Sequence, residues 1–214
     1  QGVFYPTRAD KSLLFNTEHP DPSDPLHKWG VDDGFGFIDE KGHPHRYIGY
    51  YTWKYWRNLI AGLNSLATAY VYSGDVRYAH KAAIMLDRIA DVYPSMDWRP
   101  YARLGFFHSD GNRIHGKIEG AIWETQTATH FAESYDKIIS GTRNDPELFA
   151  FLKGKSAQFK IGEKGTRDLF VAHCDKNILH EIHDGILDEQ ISGNEGMQQR
   201  AMMTAALSLN TQPT

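Results

Sequence analysis

Tyr50–Pro94 reads YYTWKYWRNLIAGLNSLATAYVYSGDVRYAHKAAIMLDRIADVYP, and the spacing of its apolar residues decides the fold class. Tyr51, Tyr55, Leu59, Leu63, Leu66 and Tyr70 recur three or four residues apart. At about 3.6 residues per turn, that interval lines them up on one face of a helix. The spacing predicts a helix from Ile48, stopped at Ser73-Gly74, where glycine accepts the left-handed conformation that ends many helices. Asp75 is then suited to cap a second helix, on which Tyr78, Ala82, Met85, Leu86, Ile89 and Tyr93 form the inner side until Pro94. Two long amphipathic helices joined by so short a turn make an antiparallel hairpin.

Upstream, residues 1–45 hold most of the prolines, two Asp-Pro steps and the glycine-rich stretch VDDGFGF at 31–37. Such a segment cannot be a regular helix, and an extended lead-in with one hairpin is expected. Downstream, Ser95–Gly116 is irregular and longer than the roughly 15 residues of a plain connection, a length at which loops often carry function. A third helix is marked by Ile118, Ile122, Thr125, Ala128, Ala132, Tyr135 and Ile139, with Gly141 as its end. A short helix is expected over Asp145–Leu152, then one long helix or two broken near Gly185 over Glu163–Leu187, and a last helix from Asn194 or Gly196 to Leu209. Strand patterning is missing after residue 46. The expected fold class is therefore all-α: residues 46–214 form stacked antiparallel hairpins, as an open bundle, a solenoid or an α/α-toroid. Repeats of fixed length do not recur.

Composition bounds the function. The 214 residues suffice for one large domain, and 41% apolar with 23% charged residues is ordinary for a folded chain. A net charge of −4 gives no general attraction to nucleic acid or to an anionic membrane, so neither is an expected partner. No apolar run reaches the ~20 residues that span a bilayer. The single cysteine, Cys174, excludes an intrachain disulfide; among Phe170, Val171 and Leu179 it is expected to be a buried structural thiol. Aromatic residues make up 13%, and several stand beside Arg, His and Asn, which suits a cleft that stacks sugar rings and bonds their hydroxyls.

Four segments can carry chemistry. In Tyr50–Asn58, Tyr51 and Tyr55 share a helix face, while Trp53, Trp56 and Arg57 point elsewhere. Tyr50, Trp53, Trp56 and Arg57 are thus candidate sugar contacts, with simple packing as the alternative. The loop Tyr101–Lys117 gathers Arg103, His108, Arg113, His115 and Lys117, a local cationic site for carboxylates or sulfates; His108 and Arg113 are candidate contacts. In Gly116–Gln126, Glu119 and Glu124 do not share a face and make a poor hydrolase pair, whereas Trp123 and Glu124 can line a groove at a helix start. Glu124 can equally be a structural acceptor. In Ile191–Arg200, glycines flank Asn194 and Glu195, and Asn194, Gln198 and Arg200 crowd the positive end of a helix, a natural place for a carboxylate. Asn194 can also be a plain N-cap. The pairs His43/His45 and His180/His183 have metal-like spacing but lack an acidic or Cys partner at a fixed offset, so no metal and no cofactor is expected in this chain.

Taken together, these segments resemble the helical half of heparinase II/III-type polysaccharide lyases. The hairpin at 50–94 resembles that family's aromatic-rich first hairpin, GKIEGAIWETQTATHFAESYDKI at 116–138 its following helix, and ISGNEGMQQRAMMTAALSL at 191–209 its Asn-bearing helix. The resemblance covers about residues 46–209 and rests on order and spacing. It implies an incomplete α/α-toroid followed by a β-sandwich domain, a periplasmic or secreted location, and β-elimination on an acidic polysaccharide. That chemistry removes the C5 proton beside a carboxylate, whose charge must be neutralised while an acid protonates the leaving O4. By the resemblance, Asn194 is the neutralising amide and Gln198 assists binding.

The family's Tyr acid or base lies on a later helix and a further His on the sandwich, so these 214 residues are expected to be a fragment that is inactive alone. Relatives also place a His near the Asn, where this chain has Glu195, Gln198 and Gln199. Two alternatives stay open: a glycoside hydrolase on a similar toroid, needing two inward carboxylates about 5–10 Å apart, and a non-catalytic helical-repeat domain that binds carbohydrate or protein.

Overall fold

The structure is a computed structural model, and it describes residues 19–27, 37–38, 41, 44–45, 48–96, 116–119 and 121–209, without the side chains of 37–38, 44–45, 48–55 and 121. The described part is all-α. Its only strands are β1 (Phe37–Ile38) and β2 (Pro44–His45), an antiparallel pair with Phe37 opposite His45. A hairpin was expected before residue 46; most of the expected lead-in lies outside the described residues.

α1 (Ile48–Ser73) and α2 (Val76–Val92) form the predicted hairpin. Gly74 turns the chain at φ 68°, and the Asp75 carboxylate accepts the Arg77 N–H to start α2. The inner face of α2 is small: Ala79, Ala82, Ala83 and Ala90 are buried around Leu86 and Ile89. Small side chains let the backbones draw close, and Gly141 uses that space. A Cβ at Gly141 would lie 2.7 Å from both the Ala79 Cβ and the Tyr70 ring.

α3 (Glu124–Ile138) begins with a 3-10 turn at Ala121–Trp123 and ends in another at Ile139–Thr142. The helix starts later than Ile118, where apolar spacing alone put it. The cause is local, because the Glu124 side chain folds back onto the amides of 117–119 and holds them out of the helix. α4 (Pro146–Phe159) runs a further two turns beyond the expected Leu152, from an Asp145 cap that accepts the Leu148 N–H to Lys160 at φ 55°. α5 (Arg167–Cys174), a π-helical turn at Asp175–His180 and α6 (Glu181–Leu187) follow without interruption from a Thr166 cap. The irregularity thus falls at 175–180 instead of the expected Gly185, which is buried within α6.

α7 (Met197–Ser208) starts from Gly196 at φ 88°, with the Gln199 side chain accepting the Gly196 N–H. The N-cap is Gly196, so Asn194 does not fill that role through its side chain; its carbonyl accepts the Met197 N–H at 3.0 Å. α3 is the central element, packed against α1, α2 and α7. Phe131 sits edge-on to Tyr93 (5.4 Å) and tilted against Trp56 (6.3 Å), among Leu63, Leu86, Ile118 and Tyr135. Each such side chain, fully buried, contributes about 1.5–3 kcal/mol. Cys174 is buried as expected, and burial pushes its thiol well above the ordinary range. Among the described residues, no helix is long and apolar enough to cross a membrane.

Candidate functional site

The site is built where the start of α7 meets the start of α3. Gly193 makes this meeting close: a Cβ there would lie 2.9 Å from the Thr125 Cγ2, so only glycine brings the chain so near α3. The next residue, Asn194, is exposed, and Gln198 is half-buried with its amide donating to the Ile191 carbonyl at 3.4 Å. Arg200, expected beside them, instead donates across to Glu133 of α3 at 3.1 Å.

Two residues before Thr125, Trp123 leaves 40% of its surface in solvent. The Arg57 guanidinium of α1 stands 5.8 Å from the centre of its ring, within range of a cation–π attraction. Arg57 is itself 45% exposed, and its Nε lies 2.9 Å from Glu119 Oε1, a carboxylate only 6% exposed. Thr127 of α3 donates a hydrogen bond to the other oxygen of Glu119. Burial raises the Glu119 carboxyl above its ordinary range, with the Thr127 hydrogen bond and the Arg57 charge pulling the other way.

Beneath this surface, Glu124 is wholly buried, and its Oε2 accepts the backbone N–H groups of Lys117 (3.0 Å), Ile118 (2.8 Å) and Glu119 (2.9 Å). Three successive amides around one carboxylate oxygen form a concave anion nest. Lys117, also buried, reaches Glu181 of α6 at 2.5 Å and the carbonyls of Tyr93 and Pro94. The segment 116–119 is therefore pinned from both sides, which fixes Glu119 and through it Arg57.

The structure sorts the sequence-derived candidates. Arg57 stands over Trp123, while Asn194 and Gln198 lie at the start of α7, which approaches α3 through Gly193 and Thr125. Trp56 is 7% exposed with its ring on Phe131, and Glu124 is spent on loop amides, so neither presents a surface to a ligand. The side chains of Tyr50 and Trp53, and residues His108 and Arg113 altogether, lie outside the described residues. Glu119 was missed as a partner of Arg57. Sequence distance hid it, since nothing in a linear pattern joins residues 57 and 119.

A second polar cluster lies apart, between α2, α5 and the loop before α5. Lys164, buried, bridges Asp87 (2.7 Å) and Asp91 (2.5 Å), while His173 meets Asp91 at 3.1 Å and Asn177 meets His173 at 2.9 Å. Burial raises Asp87, with Lys164 offsetting only part of the effect. Burial also bears on Asp91, but bonds from His173 and Lys164 outweigh it and leave that carboxyl below its ordinary value. Among the described residues, no group of three or more His, Cys, Asp or Glu side chains is arranged to hold a metal ion. No protein-family model matches the sequence, and no curated protein or solved structure matches the chain.

Proposed function

We propose that this chain is the helical, substrate-cleft part of a polysaccharide lyase that cleaves uronic-acid polymers by β-elimination, its stacked hairpins belonging to an incomplete α/α-toroid. One observation carries the reading: a half-exposed Trp123 lies under the Arg57 guanidinium at the start of α3, and the chain just before the exposed Asn194 closes on Thr125 of that helix through Gly193. Trp123 offers a flat apolar face to a pyranose ring. Arg57 and the partial positive charge at the helix starts favour the sugar carboxylate. In this reading Asn194 donates to that carboxylate and withdraws its charge, easing loss of the neighbouring C5 proton. Gln198 steadies the same sugar. An amide is not a proton acceptor at neutral pH, so neither residue is the base.

Glu119 and Glu124 are buried and committed to Arg57 and to backbone amides, so they lend no support to a hydrolase pair. The reading is tested by calorimetric titration of the chain with an alginate-derived oligouronate and with a neutral oligosaccharide of equal length. Preferential binding of the uronate, weakened about tenfold or more by Asn194→Ala or Arg57→Gln, is expected from the loss of a hydrogen bond to a charged group. Equal binding of the two sugars, or none of either, refutes it.

A further inference from the structure

The buried neighbour of Arg57 changes what the site can do. A guanidinium at a ligand-facing surface usually offers its whole charge to an incoming anion. Here a carboxylate that is almost out of solvent already lies 2.9 Å from the Arg57 Nε, while the arginine itself is half-exposed over Trp123. We infer that Glu119 is a proton-controlled counter-charge for Arg57: ionised, it holds the guanidinium to itself above Trp123, and protonated, it yields the cation to an anionic sugar. The inference takes only the ligand's identity from the function proposed above.

The electrostatics follow from the neighbours. Among the described residues, the groups bearing on Glu119 are Arg57 from α1, which favours its ionised form, and Glu124 from α3, which disfavours it; Thr127 of α3 donates to it. Lys117, two residues away, is engaged by Glu181 of α6. A ligand carboxylate arriving at Arg57 adds a second negative charge beside a carboxyl that burial already holds above its ordinary value. The relief is uptake of one solvent proton by Glu119. Binding and protonation are then linked, and each strengthens the other.

The test follows the indole N–H resonance of Trp123, assigned with Trp123→Phe, in the ligand-free chain across about pH 4 to 8, where a carboxyl with a raised value titrates. One transition is expected, with its midpoint above 4.5. Glu119→Gln removes it. Thr127→Val, which deletes a donor to the ionised carboxylate without emptying the site, moves the midpoint upward; circular dichroism establishes that each variant is folded. In the wild type, affinity for the oligouronate then falls as pH rises above the ligand-free midpoint, by at most about tenfold per pH unit, as one linked proton requires. A flat wild-type resonance, a transition that survives Glu119→Gln, or a midpoint indifferent to Thr127→Val overturns the inference. A transition lost in Glu119→Gln together with no uronate binding at any pH supports the counter-charge and overturns the function reading alone.

Discussion

Glu124 offers the sharpest test of how this fold holds its site. Its Oε2 is the shared acceptor of three buried backbone donors, at 3.0, 2.8 and 2.9 Å. Glu124→Ala strands those amides where water does not reach, and each such donor costs about 1–3 kcal/mol. The three bonds share one oxygen and will not add fully, so a loss of about 3–5 kcal/mol is expected. Glu124→Gln keeps an oxygen at the same reach but gives up the charge, and charge-assisted bonds are roughly twice as strong as neutral ones. About 1–2 kcal/mol is expected for that variant. Urea unfolding measures both, and amide exchange at Lys117, Ile118 and Glu119 localises the damage. Both variants within about 0.5 kcal/mol of wild type, a range ordinary for surface changes, would show that the nest is not what orders 116–119.

Other consequences follow from the same packing. Gly141→Ala puts a methyl against the Ala79 Cβ, which cannot turn away, and should cost about 1–3 kcal/mol in chemical denaturation. Lys164→Met leaves Asp87 and Asp91 buried without their ammonium, a loss of about 3–5 kcal/mol that a second substitution, Asp87→Asn, should partly restore. Burial lowers the His130 imidazole below 6.5 in the folded chain, so the unfolded chain binds the proton first. The stability from neutral His130 is therefore present above 6.5 and is lost as pH falls through that value toward the folded one. His130→Phe should flatten this part of the stability–pH curve, measured by thermal melts.

Local patterns carried well wherever one helix face was sufficient. The α1–α2 hairpin follows from apolar spacing and from Gly74 and Asp75, both of which do in the fold what their residue types suggest. The start of α3 did not follow. The apolar run from Ile118 obeys the helical period, but a side chain from the helix's first turn captures the preceding amides, and periodicity carries no trace of that competition. The π-turn at 175–180 was equally hidden, since it leaves Ile178 and Leu179 buried as a regular helix would. Among the candidates, Arg57, Trp123, Asn194 and Gln198 were legible as residue types; that Arg57 stands over Trp123 was not. Trp56 was ambiguous because a tryptophan beside an arginine reads alike whether it faces Phe131 or a ligand. The Arg57–Glu119 pair depends on α1 crossing α3, a tertiary fact with no sequence signature.

The most direct measurement is a saturation-transfer NMR experiment on the chain mixed with oligouronate, reading which protein groups lie against the sugar. Transfer to both the Trp123 indole and the Asn194 side-chain amide, lost when a neutral oligosaccharide replaces the uronate, is the expected result. Transfer to Trp123 without Asn194, or to neither, would contradict the proposal that one sugar acid reaches both.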